Sequence, residues 1–478
     1  MAADPNDSED LGKTPGNGTF RPNTDALLRL VVGEAFHGTP LAAVRELLQN
    51  AFDAVREKIA RQRLLLPPHK NPGDPKWETH FGEIEQVTLS LVERKSGRYL
   101  ICEDTGTGLT QEIFTKQLLS PGQGPGQSQK ELENQCRALG FTLGCNLRRG
   151  IGCLSYFMLA EEVTIESIRD PLCGDDHPGT LRLRTTGLGD FDKLPSLPME
   201  IPENSGTSVT WKLSGKTTTP GLPTFEEQLS DYLTKTVVRV PCYLFVIFEN
   251  ELPARPSSAP GWTTSPIPPG LTARVISSGP RILPIKRLPR TSLTLDLVTA
   301  LTSIAPADLA KAGVDFQFEV CEFHVPGLAS LRCTAPWIHY QKTKAMVWAT
   351  DAAPDSHERY TLIALTPESR ISCRGMRCRL PGLKLPGVPS EGDNLPALLS
   401  NELPPWAFLT IDLDLDCTTI ETLAADRSTV TLPAQTGCQL EELCLTSLRH
   451  MAEIVRGKHP GSLLAEQMEE LQYHLRKI

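Results

Sequence analysis

The run from Leu41 to about Arg63, LAAVRELLQNAFDAVREKIARQR, sets apolar residues at three- and four-residue spacing, the period of a helix with one face on a core. Glu46, Asn50 and Asp53 recur within it at i, i+4 and i+7, so all three share one face. Either the three form a solvated stripe on an amphipathic surface helix, or the helix packs where polar chemistry is done. A carboxylate one turn from an amide can serve a water and a Mg²⁺ on the same ligand. Thr39-Pro40 offers a start for this helix, an N-cap hydroxyl followed by a residue whose missing N–H costs nothing there.

Three further segments carry chemistry. The alternating QVTLSLVERKSGRYLICED reads as a hairpin turning at Ser96-Gly97, after a four-proline stretch at 66–82 that reads as a surface loop. Its second strand ends in Cys102-Glu-Asp104-Thr-Gly106-Thr-Gly108, where Asp104 can accept from an exocyclic amine and the glycines let backbone approach a planar base. Gly150-Ile151-Gly152 stands before an apolar run that reads as a helix, and free N–H groups at a helix start can hold phosphate. Gly206-Thr207 opens the strand-like GTSVTWKL and would bring a hydroxyl to the same pocket. Taken singly, each of these three is also what an ordinary glycine turn, helix entry or strand start looks like.

Composition narrows the rest. A chain of 478 residues with 40% hydrophobic and 22% charged residues is expected to form at least two globular domains. Its net charge of −9 gives no general attraction to nucleic acid or to an anionic membrane. The polar, acidic start lacks the apolar core of a secretory signal, and no apolar run is long enough to span a bilayer, so a cytoplasmic protein is expected. The thirteen cysteines are scattered and suggest thiols, and Cys373 with Cys378 lacks the second pair that a zinc site needs. Residues 1–22 read as a disordered tail. The helical EEQLSDYLTKTVVRV and the strand YLFVIFEN read as the opening of a second domain, followed by an exposed Pro-rich loop at 251–270, and an amphipathic helix ends the chain.

In their order and spacing the four segments resemble the GHKL ATPase superfamily, whose Bergerat-type site is shared by gyrase, the ninety-kilodalton heat-shock chaperones, sensor histidine kinases and MutL. Glu46, Asn50 and Asp53 match its N box, Asp104, Gly106 and Gly108 its first glycine box, Gly150 and Gly152 its second, and Gly206-Thr207 its last. The resemblance implies an α+β protein. A Bergerat sandwich, a mixed sheet covered by helices, would occupy 23–215 with a lid at about 120–147. An α/β domain like the chaperone middle domain would follow at 222–432, and a helical segment at 433–478. It also implies ATP bound by Asn50, Asp53, Asp104, Gly106, Gly108, Gly150, Ile151, Gly152 and Thr207, with Mg²⁺ on Asn50 and Glu46 as the general base.

LAAVRELLQNAFDAV, SPGQGPGQ and GIGCLSYFMLAEEVTI look most like the chaperone branch, whereas sensor kinases usually lack the glutamate. In that branch a second-domain arginine reaches the γ-phosphate; DRSTV makes it Arg427, while gyrase and MutL use a lysine, for which Lys342 is the candidate. Cys153, where the chaperones usually carry an aromatic residue, and the insertion at 66–82 depart from the pattern. So does the room after 433, too short for the family's C-terminal dimerisation domain. The expected activity is Mg-dependent ATP hydrolysis driving a conformational cycle in a chaperone-like protein, with a client or partner protein and an ATP-dependent homodimer as the partners. The alternative is an ATP-gated clamp or signalling ATPase of the MutL or MORC kind, linked to nucleic acid.

Overall fold

The computed structural model describes residues 40–115, 127–143, 152–174, 180–187, 191–195, 205–214, 223–248, 256–263, 273–278, 302–304, 314–340, 345–348, 360–364, 369–381, 385, 409–416, 420–423, 428–458, 460, 469 and 472. The tail at 1–22, most of the lid region, Gly150, Ile151, Lys342, Arg427 and nearly all of the terminal segment after 460 lie outside them. The architecture is α+β, helices packed on mixed and antiparallel sheets.

Helix α1 (Ala42–Leu64) is the centre of the first packed unit. It begins two residues beyond Pro40, whose carbonyl accepts from the Ala43 amide at 3.0 Å, and its N-cap position, Leu41, supplies no side-chain bond. Ala42 through Gln49 are buried on every side, so this helix runs inside the protein. The proline-rich stretch after it is not all loop, because Lys76–Gly82 forms a short helix, α2. Pro75 stands at its N-cap, where a proline is compatible with helix entry, and the Asp74 carboxylate accepts from the Lys76 amide at 3.0 Å.

The first sheet collects β1 (Gln86–Arg94), β2 (Gly97–Asp104), β3 (Ala160–Ile168), β4 (Thr180–Thr185), β5 (Asp192–Lys193) and β6 (Gly206–Leu213). After α3 (Gln127–Ala138) and these strands, α4 (Phe225–Thr236) and the two-residue β7 (Arg239–Val240) lead into β8 (Tyr243–Phe248). The strand order is β5-β4-β3-β6-β2-β1-β8, antiparallel except for β8, which runs parallel to β1 with Gln86 opposite Tyr243. The strand expected to open a second domain therefore closes the first sheet. Phe225, Leu229 and Leu233 of α4 join Phe52 and Trp211 in one core, so the boundary expected near 222 falls inside a packed unit.

The Pro-rich segment at 251–270 is also more than an exposed loop where it is described. Its β9 (Gly261–Trp262) pairs with β7, and Ser258 exchanges backbone bonds with Leu244 at 2.9 and 3.0 Å.

Next come β10 (Ala273–Ser278), β11 (Thr302–Ile304), β12 (Val314–Val325), β13 (Ala329–Tyr340), β14 (Ala345–Trp348), β15 (Tyr360–Ala364), β16 (Arg370–Cys373), β17 (Met376–Arg377) and β18 (Thr410–Leu415). The second large sheet has the order β12-β13-β18-β16-β17, with β14 on β13; β10, β11 and β15 form a small separate sheet. Helix α5 (Ala434–Lys458) buries Leu440, Leu443, Cys444, Leu448, Met451 and Val455, at three- and four-residue spacing, against the second core. Arg332, Asp412 and Arg370 stand in register across β13, β18 and β16, and the Asp412 carboxylate binds both guanidinium groups, at 2.5 and 2.9 Å.

Candidate nucleotide site

The polar stripe of α1 is not solvated. Glu46 is 1% exposed and Asp53 3%, which removes the surface-helix alternative, while Asn50 is half-buried. Asn50 Nδ2 donates to the Tyr156 hydroxyl at 2.9 Å, and the Tyr156 ring packs on Trp211 with centroids 4.8 Å apart. Asp53 Oδ1 accepts from Gln49 Nε2 at 3.2 Å and pairs with Arg56 Nη1 at 3.1 Å.

Tyr156 comes from the segment that was expected to be an apolar helix after Gly152. It is instead a 3₁₀ helix, Gly152–Met158, and the rest of the apolar run is strand β3. Val163, Thr164 and Ile165 are β-branched and pair with β6 and β4, so sheet formation ends the helical stretch after two turns.

The glycine-rich segment after β2 is clamped from both sides. Ala54 of α1 accepts from the Thr107 amide at 3.3 Å, and a Cβ on Gly106 would lie 2.6 Å from the Ala54 backbone. Gly108 has φ +65°, and a Cβ there would lie 2.0 Å from the Ile168 carbonyl oxygen, so the turn requires glycine twice over. Arg169 Nη1 holds the Gly108 carbonyl at 2.9 Å, and Lys58 Nζ holds that of Thr105 at 2.8 Å.

Asp104 and Thr207 face each other across β2 and β6, and Thr207 faces Ser167 across β6 and β3. The Thr207 and Ser167 hydroxyls lie 2.9 Å apart, and Ser167 Oγ accepts from the Leu109 amide at 2.7 Å. Asp104 accepts from the Gly106 amide at 2.8 Å. Burial pushes its carboxyl up to about 7, the Glu85 carboxylate adding to the effect and the amides of Gly106 and Thr207 and the Lys58 cation opposing it. A carboxyl poised near neutrality marks a candidate binding or catalytic position.

Asp104, Gly106, Gly108 and Thr207 thus adjoin α1 at Ala54, on the helix that carries Asp53, Asn50 and, one turn before Asn50, Glu46. Gly152 adjoins that helix through Tyr156; Gly150, Ile151, Arg427 and Lys342 lie outside the described residues. Cys373 and Cys378 are buried thiols, Cys378 held well above its ordinary value by burial.

Sequence reasoning missed Lys58, Tyr156, Ser167 and Arg169, which only folding brings to the site. It also missed Arg374, in the turn between β16 and β17. Arg374 is 4% exposed and its Nη1 lies 3.4 Å from both Asp53 carboxylate oxygens. Among the described residues it is the one non-glycine with positive φ, at 54°, a conformation that costs about 1 kcal/mol or more. The Arg374-Gly375 dipeptide, a turn signal within SCRGMRC, was the available clue.

Among the described residues no cluster of three or more His, Cys, Asp or Glu could hold a metal ion by itself. No family model matches the chain, and no curated protein matches it.

Proposed function

We propose that this protein binds Mg·ATP between α1 and the β2–β6 ladder, hydrolyses it, and couples turnover to movement of its second unit. The observation that carries the reading is the packing of the first glycine turn directly on the polar face of α1. That packing joins the Asp104 turn to α1 at Ala54, on the helix that carries Glu46 and Asn50, which supports reading Asp104 as the base-recognising carboxyl and Glu46 with Asn50 as the hydrolytic pair. The mixed sheet with α1 across it supports a Bergerat sandwich, and the second sheet with α5 supports a domain like the chaperone middle domain.

Asp104 accepts the hydrogen bond of the exocyclic amine of adenine, and Gly106 and Gly108 allow the base to approach the backbone. Tyr156 orients the Asn50 carboxamide through its nitrogen, so Oδ1 is the atom a hard cation would take. One protein oxygen suits Mg²⁺, which keeps waters and substrate phosphates as its other ligands and, when bound, neutralises phosphate charge. Glu46, one helical turn away, takes the proton of the attacking water on its carboxylate. Arg427 would add its charge from the second unit as the phosphoryl group transfers.

Nucleotide binding and turnover in Glu46→Ala test the proposal. The variant should bind ATP with affinity within about threefold of wild type and lose at least a hundredfold in turnover, the scale of general-base catalysis. Turnover that survives the substitution would refute the mechanism. ATP-dependent suppression of client aggregation would support a chaperone-like use of the cycle, whereas salt-sensitive DNA binding with DNA-stimulated turnover would favour the clamp.

A further inference from the structure

The contact between the two units is carried by a hairpin tip and by ions. Arg374 and Gly375 form the turn between β16 and β17, and the next residue, Met376, is 0% exposed and lies in the first core with Phe52 and Trp211, not in the core of its own sheet. Both units grip this tip. From its own sheet, the Asp414 carboxylate accepts from the Gly375 amide at 2.6 Å and from Ser372 Oγ at 2.8 Å. From the first unit, the Val238 and Arg239 amides donate to the Gly375 carbonyl at 2.6 and 3.1 Å, and Arg56 Nη2 donates to the Arg374 carbonyl at 2.9 Å. A Cβ on Gly375 would lie 1.7 Å from the Arg239 carbonyl oxygen, so the approach is as close as backbone allows. Around the tip, Arg239 pairs with Glu78 at 3.4 Å and Asp414 at 3.5 Å, and Thr142 Oγ1 donates to Asp416 at 2.6 Å.

We propose that Arg374 is a positioning residue for the reaction at α1: the hairpin tip of the second sheet holds Asp53, and through it the helical turns bearing Asn50 and Glu46, in their working register. Asp53 follows Asn50 by three residues and Glu46 by seven, so a cation fixed on Asp53 acts on the face that meets the phosphates and not on the adenine end at Asp104. A tip anchored to both units transmits a shift of the second sheet to that face without touching nucleotide. The strained backbone of Arg374 fits this role, since such conformations persist where surrounding contacts over-determine them.

The inference rests on the ATPase reading, and the full chain tests both. Affinity for a non-hydrolysable ATP analogue and steady-state turnover are measured for wild type, Arg374→Met, Arg374→Lys, Asp53→Asn and the Asp53→Asn/Arg374→Met double variant, each with its melting temperature. Arg374→Met keeps the buried stem and should hold analogue affinity within threefold while kcat falls at least tenfold. Arg374→Lys restores the charge without the fork and should recover part of that loss. The double variant should be no slower than the slower single variant, as two members of one contact require. Unchanged kcat in Arg374→Met, multiplicative losses in the double variant, or loss of affinity in step with melting temperature would each overturn the inference. If Arg374→Met is too unstable to assay, Arg374→Lys decides: a kcat below wild type with analogue affinity retained supports the inference, and a kcat equal to wild type or a drop matched by lost affinity overturns it. Wild-type protein that neither binds the analogue nor turns over ATP overturns the ATPase reading itself and this inference with it.

Discussion

Asp104→Asn isolates a strongly perturbed carboxyl of the site while keeping an oxygen that can accept from the Gly106 amide. In the folded chain this group holds its proton up to about 7, against an ordinary value of 3.8. Between these limits the folded state binds more protons than the unfolded one, so this group's contribution to stability is complete below the lower value and is lost as pH rises through the upper one. At 1.36 kcal/mol per pK unit the span corresponds to about 4 kcal/mol, and partial access of water to the half-buried carboxylate brings that to about 2 kcal/mol. Asparagine does not titrate. Relative to wild type, the variant should therefore gain about 2 kcal/mol in stability between pH 4 and pH 8, or roughly 4–8 °C in melting temperature for a unit of this size. Thermal unfolding of the nucleotide-free protein across that range, read by tryptophan fluorescence with Trp211 fully buried in the first core, measures it. A difference between variant and wild type that stays constant from pH 4 to pH 8 would show that Asp104 ionises normally and would remove the electrostatic argument for this pocket.

The same group predicts how the proposed ligand binds. Adenosine, which has no phosphates to titrate, should bind more tightly as pH rises through about 7, with affinity falling toward tenfold per unit below it, because accepting from an amine favours the ionised carboxylate; calorimetry at pH 5.5, 7 and 8.5 checks this, and a flat profile counts against it. Gly108→Ala meets both a φ of +65° and an Ile168 carbonyl 2.0 Å from the new Cβ, and should cost about 2 kcal/mol or more in urea unfolding; a loss under about 0.5 kcal/mol would mean that the turn is not held as described.

Much of this molecule could be read along the chain. The period of α1, the β1–β2 hairpin and the strands at 180–185 and 206–213 are local patterns, and local patterns follow from residue type and spacing. The helix at 76–82 was hidden by prolines that stand before it, and the split of the run after Gly152 into 3₁₀ helix and strand was hidden because a short apolar run fits either. The polar stripe on α1 was legible as a stripe but not as buried: whether Glu46 and Asp53 meet water or a second layer depends on what packs over them. The run YLFVIF was legible as a strand but not as a neighbour of β1, because parallel pairing joins segments with no short connection to announce it.

Sequence by itself determined the helix at 42–64, the β1–β2 hairpin and the strands at 180–185 and 206–213, and which polar residues share one face of that helix. Only tertiary structure decided that Asp104 is buried enough to hold its proton near neutrality, that Tyr156 orients Asn50, and that Arg374 closes on Asp53 from a different sheet. Burial and long-range pairing are properties of the packed chain, set by surfaces that meet only after folding, and no spacing within one segment contains them.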